Sequence, residues 1–342
     1  MKNRLLAAIA AFSALAVAPV HAQGTRSVDL TVNDVGLSIG DSRRVSGLRL
    51  NFRDRNLQEV TGINATVWMP YQNGRGIVRG LALGLPATGA RRIEGIAAGI
   101  VGIGAEESLR GLGVGGIGLG VGEDFRGIGI GGIGLGVGQD LRGAALGGIG
   151  MGIGGDLRGL AIGGIGVGVG QNASGIMIGG IGAGVGGNMT GLSIAGIGVG
   201  AGGNVKGLSI TGIGMGAGGD VTGVQLAGIG IGAGGTLKYV SIAGAGIGAP
   251  RIEGLAIAAG VGAENVRGVV IAPLYFKIQD TGRMHGVNVS AWNNIRGTQQ
   301  GLAIGIFNYA RSLDGVQVGI LNYAGNKSHA RLLPIFNYAS AQ

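Results

Sequence analysis

Leu157-Arg158-Gly159-Leu160-Ala161-Ile162-Gly163-Gly164-Ile165-Gly166-Val167-Gly168-Val169-Gly170-Gln171-Asn172 is one copy of a unit that recurs every 16 residues without an insertion. Copies begin at Ile93, Leu109, Phe125, Leu141, Leu157, Ala173, Met189, Val205, Val221 and Leu237. Less regular units begin at Val45, Val60 and Val78 before this block, and at Ile252, Val266, Met284 and Leu313 after it. One short unit cannot bury its own apolar side chains, so repetition at a fixed period marks an architecture built by stacking neighbours.

Numbered from the first residue of a copy, apolar side chains stand at positions 1, 4, 6, 9, 11 and 13, and glycine at 10, 12 and 14. Strict alternation over positions 9 to 14 is a period of two, which is a strand. A helix is excluded, because 56 of the 144 residues from Ile93 to Thr236 are glycine and each would cost about 1 kcal/mol in a helix. The same reasoning disposes of membrane helices across residues 159–205, a stretch without Asp, Glu, Lys or Arg. At Gly163-Gly164 and Ala195-Gly196 the apolar spacing changes from two to three, which marks a bend. Gly202-Gly203-Asn204 is turn chemistry. One unit is therefore two short strands and two turns.

Two all-β architectures fit. In a β-solenoid of about 16-residue glycine-rich coils, equivalent positions stack. The apolar columns at 1, 4, 6, 9, 11 and 13 would then fill one narrow core, with the glycines at 10, 12 and 14 facing outward. Arg110, Arg126, Arg142 and Arg158 at position 2, and Asp124, Asp140 and Asp156 at position 16, would lie outside as solvated charge ladders. The alternative is an antiparallel β-meander or an outer-membrane β-barrel. Identical copies are natural where every unit has the same environment, which favours the solenoid. Outer-membrane barrels pair short turns with long loops, whereas connections here are almost all equally short.

Glycine accounts for 81 of 342 residues, but only 6 are proline and no Gly-X-Y period is present, which excludes collagen. A mean hydropathy of +0.43 excludes a disordered chain. Residues 1–22 have the basic, apolar and small-residue segments of a signal peptide cut after Ala22. Irregular repeats and a cap then span 23–92, regular repeats 93–251, and irregular repeats with a second cap 252–342. The expected location is the periplasm, outer membrane or cell surface of a bacterium. There is no Cys, so neither disulfides nor thiolate metal sites stabilise the fold. Loss of Lys2 and Arg4 would lower the net charge from +9 to +7 (9 − 2). A basic exported chain suits acidic envelope surfaces or anionic polymers. Aromatics are 4% of residues, too few for the stacking platforms of a nucleic-acid binder.

Near the C-terminus the repeat reads Gly301-Leu302-Ala303-Ile304-Gly305-Ile306-Phe307-Asn308-Tyr309-Ala310 and Gly315-Val316-Gln317-Val318-Gly319-Ile320-Leu321-Asn322-Tyr323-Ala324, with Phe336-Asn337-Tyr338-Ala339 beyond. This resembles the bacterial surface-repeat family first named from Leptospira, whose units read Gly-Val-Gln-Ile-Gly-Leu-x-Asn-x-Ala. The resemblance is clearest over residues 301–339 and implies export and envelope association. It brings no catalytic residues. Asn308, Asn322 and Asn337 either form a buried amide ladder or end strands at turns.

Gly113, Gly115 and Gly118 form a Gly-x-Gly-x-x-Gly pattern, but it recurs unit after unit with no helix signal, so no dinucleotide site is read from it. Gly154-Gly155-Asp156 comes once per 16 residues, too sparse for calcium's six to eight oxygens. His285 and His329 have no metal spacing, and the carboxylate pairs Glu106-Glu107 and Glu123-Asp124 fall in exposed turns. Trp68, Tyr71, Tyr275, Phe276 and Trp292 are expected to cap the ends of the stack, with a sugar- or lipid-contacting patch as the alternative. No catalytic, cofactor-binding or metal residue is assigned. The expected protein is a non-enzymatic structural or surface-associated repeat protein that adheres or self-associates through a flat glycine face. Its partners are itself or envelope components. Membrane association is possible, and neither nucleic acid nor a small-molecule substrate is expected.

Overall fold

The structure is a computed structural model that describes residues 27–70 and 76–340. The expected signal peptide and Tyr71 lie outside these residues. The described residues contain strands and turns but no helix. They form two compact units, one up to Gly138 and one from Gln139 onward.

In the second unit each regular coil, as far as Gly230–Ala233, has one longer and one shorter strand, and the strands from Gly246–Ile257 to Trp292–Ala324 run on unbroken for 12 residues or more. Leu157–Gly163 is followed by a corner at Gly164 and Ile165, then by Gly166–Val169 and a turn at Gly170, Gln171 and Asn172. The next coil lies alongside in parallel, with Leu157 paired to Ala173 and Gly166 to Gly182. The 16-residue offset holds from Leu141, paired to Leu157, to Val221, paired to Leu237. Parallel stacking of equivalent residues is a β-solenoid. The antiparallel meander or barrel is not the arrangement found.

The inside of the coil differs from the expected one. Leu157, Ala161, Val167 and Val169 are buried, and so is Gly163. These are positions 1, 5, 11, 13 and 7. Positions 4, 6 and 9 are instead half-exposed, as at Ile176 (39%), Leu146 (42%) and Ile165 (50%). The cause is the glycine at position 3. Gly159 has φ +134° and interrupts the pleat, so the residue after it points outward rather than inward. A Cβ at Gly159 would fall on the carbonyl oxygen of Gly143 in the neighbouring coil. Gly175, Gly191, Gly207 and Gly223 repeat this conformation, with φ between +120° and +130°. Position 5 is then buried, whether small, as at Ala161 and Ser193, or large, as at Met177 and Gln225.

Two ladders of side-chain hydrogen bonds run along this unit. At position 16 each carboxylate or amide oxygen accepts the backbone N–H of the equivalent residue one coil on: Asp140 from Asp156 (3.0 Å), Asp156 from Asn172 (3.0 Å), Asn172 from Asn188 (2.9 Å), Asn188 from Asn204 (2.9 Å), Asn204 from Asp220 (2.7 Å) and Asp220 from Thr236 (2.6 Å). In the last coils Asn293 donates to Asn308 Oδ1 at 2.6 Å, and Asn308 to Asn322 Oδ1 at 2.7 Å, all three fully buried. The amide-ladder reading holds for Asn308 and Asn322. Asn337 donates instead to the Asn322 carbonyl at 3.1 Å. Leu332–Ala339 runs antiparallel to the preceding strand and covers its edge.

The first unit is stacked in the same way. Val35–Gly40, Arg44–Arg53, Glu59–Trp68, Ile77–Gly84, Ala87–Gly99 and Gly102–Gly115 pair in parallel. Its outer edge is covered by Ser27–Val32, antiparallel to Val35–Gly40. Asn33 and Asp34 form the turn at φ 50° and 64°, a conformation their short polar side chains tolerate. The inward column here carries Arg49, fully buried and bonded to Asp54, to Asn64 Oδ1 at 2.9 Å and to Asp41 at 3.3 Å. Asp29 lies beside it, accepting from Ser38 at 2.7 Å and Ser42 at 2.5 Å.

Candidate functional site

Which glycines does the fold itself require? At position 3 a positive φ favours glycine, as from Gly159 to Gly223, and at position 14 a Cβ on Gly170 would fall on the carbonyl of Gly154. Positions 10 and 12 are different. A Cβ at Gly184, Gly200, Gly216, Gly232 or Gly248 would meet nothing within 4 Å, and none of these residues has a positive φ. At Gly150, Gly182 and Gly230 the nearest atom would stand 3.6–3.8 Å away, an ordinary contact. The fold admits side chains at both columns, yet the second unit has glycine there in every coil from Gly150 and Gly152 to Gly260 and Gly262.

These glycines lie on the outward side of the short strands, since Val167 and Val169 point into the core between them. The result is a bare strip of backbone eight coils long, roughly 34 Å at the ~4.8 Å spacing of neighbouring strands. One border is the half-exposed ladder Ile149, Ile165, Ile181, Ile197, Ile213 and Ile229. The first unit shows such a glycine in use. Met69 lies against Gly104, where a Cβ would overlap the methionine methyl.

The outward side of the long strands carries two aliphatic columns. They run in register from Leu160 and Ile162 to Leu302 and Ile304, half-exposed throughout.

The remaining chemistry is structural. Gly113 and Gly115 end one strand, and Gly118 opens the next with no helix after it. Asp156, considered for calcium, is a rung of the turn ladder. Its carboxyl is held below the ordinary carboxylate range by the backbone N–H and side-chain amide of Asn172, with the Arg158 charge adding to them. The charged pairs at positions 16 and 2 meet within one coil, Asp124 with Arg126 at 3.9 Å and Asp140 with Arg142 at 3.4 Å, on half-exposed side chains. Glu107 takes Arg91 at 3.2 Å and Arg92 at 2.6 Å. Among the described residues no group of three His, Asp, Glu or Cys could hold a metal ion.

The aromatic residues do not share one role. Phe276 is fully buried in the core. Tyr275 and Trp292 continue the column of Gly260 on the outward side, edge to face at 5.9 Å, with Trp292 52% exposed. They sit on a side of the coils and not over an end. Sequence reasoning missed the residues beside them, Phe307, Tyr309, Arg296 and Arg311. The available signal was alternation, with an aromatic residue four places before each arginine.

No family model matches this chain, and neither a curated protein nor a solved structure matches it.

Proposed function

We propose that this chain is an exported, non-enzymatic structural protein of the bacterial envelope that self-associates or adheres through its glycine strip. The observation that carries the reading is glycine at positions where the fold does not need it, as at Gly184 and Gly200. Side chains there would hold a facing surface several ångströms away. Their absence lets another backbone or a flat surface come close, as small residues do between packed helices. The bordering isoleucines, about half-exposed, supply apolar area at the contact. Export rests on the N-terminal sequence, and envelope association on the likeness of residues 301–339 to the Leptospira-type repeats.

The test is Gly168→Lys, Gly184→Lys and Gly200→Lys combined in the full chain. The wild type is expected to sediment as an oligomer or to fractionate with envelopes. The triple variant should keep its melting temperature within a few degrees and lose that association. A wild type that is strictly monomeric and absent from envelopes would overturn the proposal.

The aliphatic columns favour a second reading, contact with a lipid or other apolar surface, because two unbroken half-exposed ladders exceed what isolated surface residues need. Ile178→Lys with Ile194→Lys separates the two, since these residues lie on the other outward side.

A further inference from the structure

Past Gly260 and Gly262 the two outward columns change character. Gly260 pairs with Tyr275 and Tyr275 with Trp292, while Gly262 pairs with Lys277 and Lys277 with Asn294. The bare strip thus ends in a terrace of large side chains. One coil on, Phe307 meets Trp292 at 6.1 Å, and Tyr309 stacks on Tyr323 at 5.2 Å with the planes 4° apart. Alternate residues share a face, so Trp292, Asn294 and Arg296 form one row, and Phe307, Tyr309 and Arg311 the next. The residues between them, Asn293, Ile295, Asn308 and Ala310, are fully buried and fix both rows to the core.

The rows line an open groove of about 530 Å³. It shares Asp280 and Arg311 with a second hollow of about 300 Å³, lined by the hydroxyls of Thr281, Thr298 and Ser312. Two cations, Arg296 and Arg311, line the groove with one carboxylate, Asp280, which stands 3.9 Å from Arg296. Arg311 has no ion pair among the described residues.

We propose that this terrace binds a linear acidic polysaccharide, with successive sugars on successive aromatic rows and their carboxylates on the arginines. The inference is independent of the glycine strip. Three features carry it. Aromatic rings offer apolar surface to the C–H face of a sugar, and amide and hydroxyl groups beside them suit its hydroxyls. Arginine recognises carboxylate in a bidentate geometry. The same row appears twice at the coil spacing, which fits a ligand that itself repeats. Single-stranded DNA is the poorer fit, since Asp280 and the side chains of Thr281, Thr298 and Ser312 suit the several hydroxyls of each sugar, which a deoxyribose-phosphate chain lacks.

The chain has two tryptophans, Trp68 and Trp292, so in a Trp68→Phe background all tryptophan emission comes from the terrace. Titration of this full-length variant with polygalacturonate, a polymer of a uronic acid, should change the emission saturably. A neutral linear glucan of equal length should bind weakly. Arg311→Gln should weaken polygalacturonate binding about tenfold, the loss expected for one charge-assisted hydrogen bond. Arg126→Gln, on the first unit, should leave it unchanged. The proposal is overturned by an emission unaffected by polygalacturonate, by equal binding of the neutral glucan or of single-stranded oligo(dT), or by equal losses in the two arginine variants.

Discussion

Asn172 accepts the backbone N–H of Asn188 on its Oδ1 at 2.9 Å, so a side chain in one coil satisfies the main chain of the next. Asp156 and Asn188 do the same for their neighbours, which makes the turn position interchangeable between carboxylate and amide. Replacement of Asn172 by alanine removes an acceptor from a turn N–H and should cost about 1 kcal/mol in denaturant unfolding. Asn172→Asp keeps the acceptor but gives up the amide that donates to Asp156 Oδ1 at 3.2 Å, so near pH 7 it should recover only part of that loss. Equal losses in the two variants would show that the amide itself, and not its oxygen, is what the turn uses.

Acid should loosen this ladder. The carboxyl of Asp156 is depressed by the N–H and amide of Asn172. For Asp29 burial acts to raise the value, but the hydroxyls of Ser42, Ser38 and Ser27 and the charge of Arg49 outweigh it and leave it lowered. A carboxyl lower in the folded than in the unfolded chain stabilises the fold above its unfolded value. That contribution is lost as pH falls through the folded value. Melting temperature should therefore fall as pH drops below about 4, the ordinary carboxylate range. Asp156→Asn should flatten part of that acid limb with little change near pH 7. An unaltered acid limb in the variant would remove Asp156 from the account.

Glycines of the two kinds should respond oppositely to alanine. Gly191→Ala places a Cβ on the carbonyl of Gly175 at φ +120° and should destabilise by about 1–3 kcal/mol or more. Gly200→Ala meets nothing within 4 Å and should be neutral or stabilise by about 0.4–1 kcal/mol, because it restricts the unfolded chain. Thermal melts of the two single variants make the comparison. A comparable loss at Gly200 would mean the fold needs that glycine after all.

Tyr239 occupies the column of position 3, paired with Gly223 on one side and Gly254 on the other, at φ +80°. It is 65% exposed, so its ring gains little from burial there. Tyr239→Gly should raise stability by about 1 kcal/mol through release of backbone strain. A loss of stability would show that the ring makes a contact stronger than that strain.

Much of this was legible in the sequence. The uninterrupted 16-residue spacing from Ile93 to Leu237 gave the coil, and Gly163-Gly164 and Gly202-Gly203-Asn204 its corners. The inside of the coil was not legible. Leu160 and Ile162 are apolar and were expected in the core, but the positive φ of Gly159 turns them outward and sends Ala161 and Gly163 in. A count of apolar residues cannot register a backbone kink. The terrace was hidden for a different reason. Tyr275 lies 15 residues from Gly260, while Met284 lies 18 from Val266, with the register shifting between Ala263 and Asn265. The period fails where the groove forms, so the letters no longer align by counting.

The constant offset of the regular coils bears on how such a chain changes length. Excision of Ala173 to Asn188 would join Asn172 to Met189 and bring Leu157 beside Met189, a neighbour of the same kind as the one it lost. Every column would close over the gap. Loss of one residue must instead be absorbed in a turn, as between Leu237 and Ile252, which lie 15 apart and share one column. Within Leu141–Leu237 the gene can therefore gain or lose 48 nucleotides at a time with the reading of every coil preserved, so the extent of the bare strip is open to selection in whole steps.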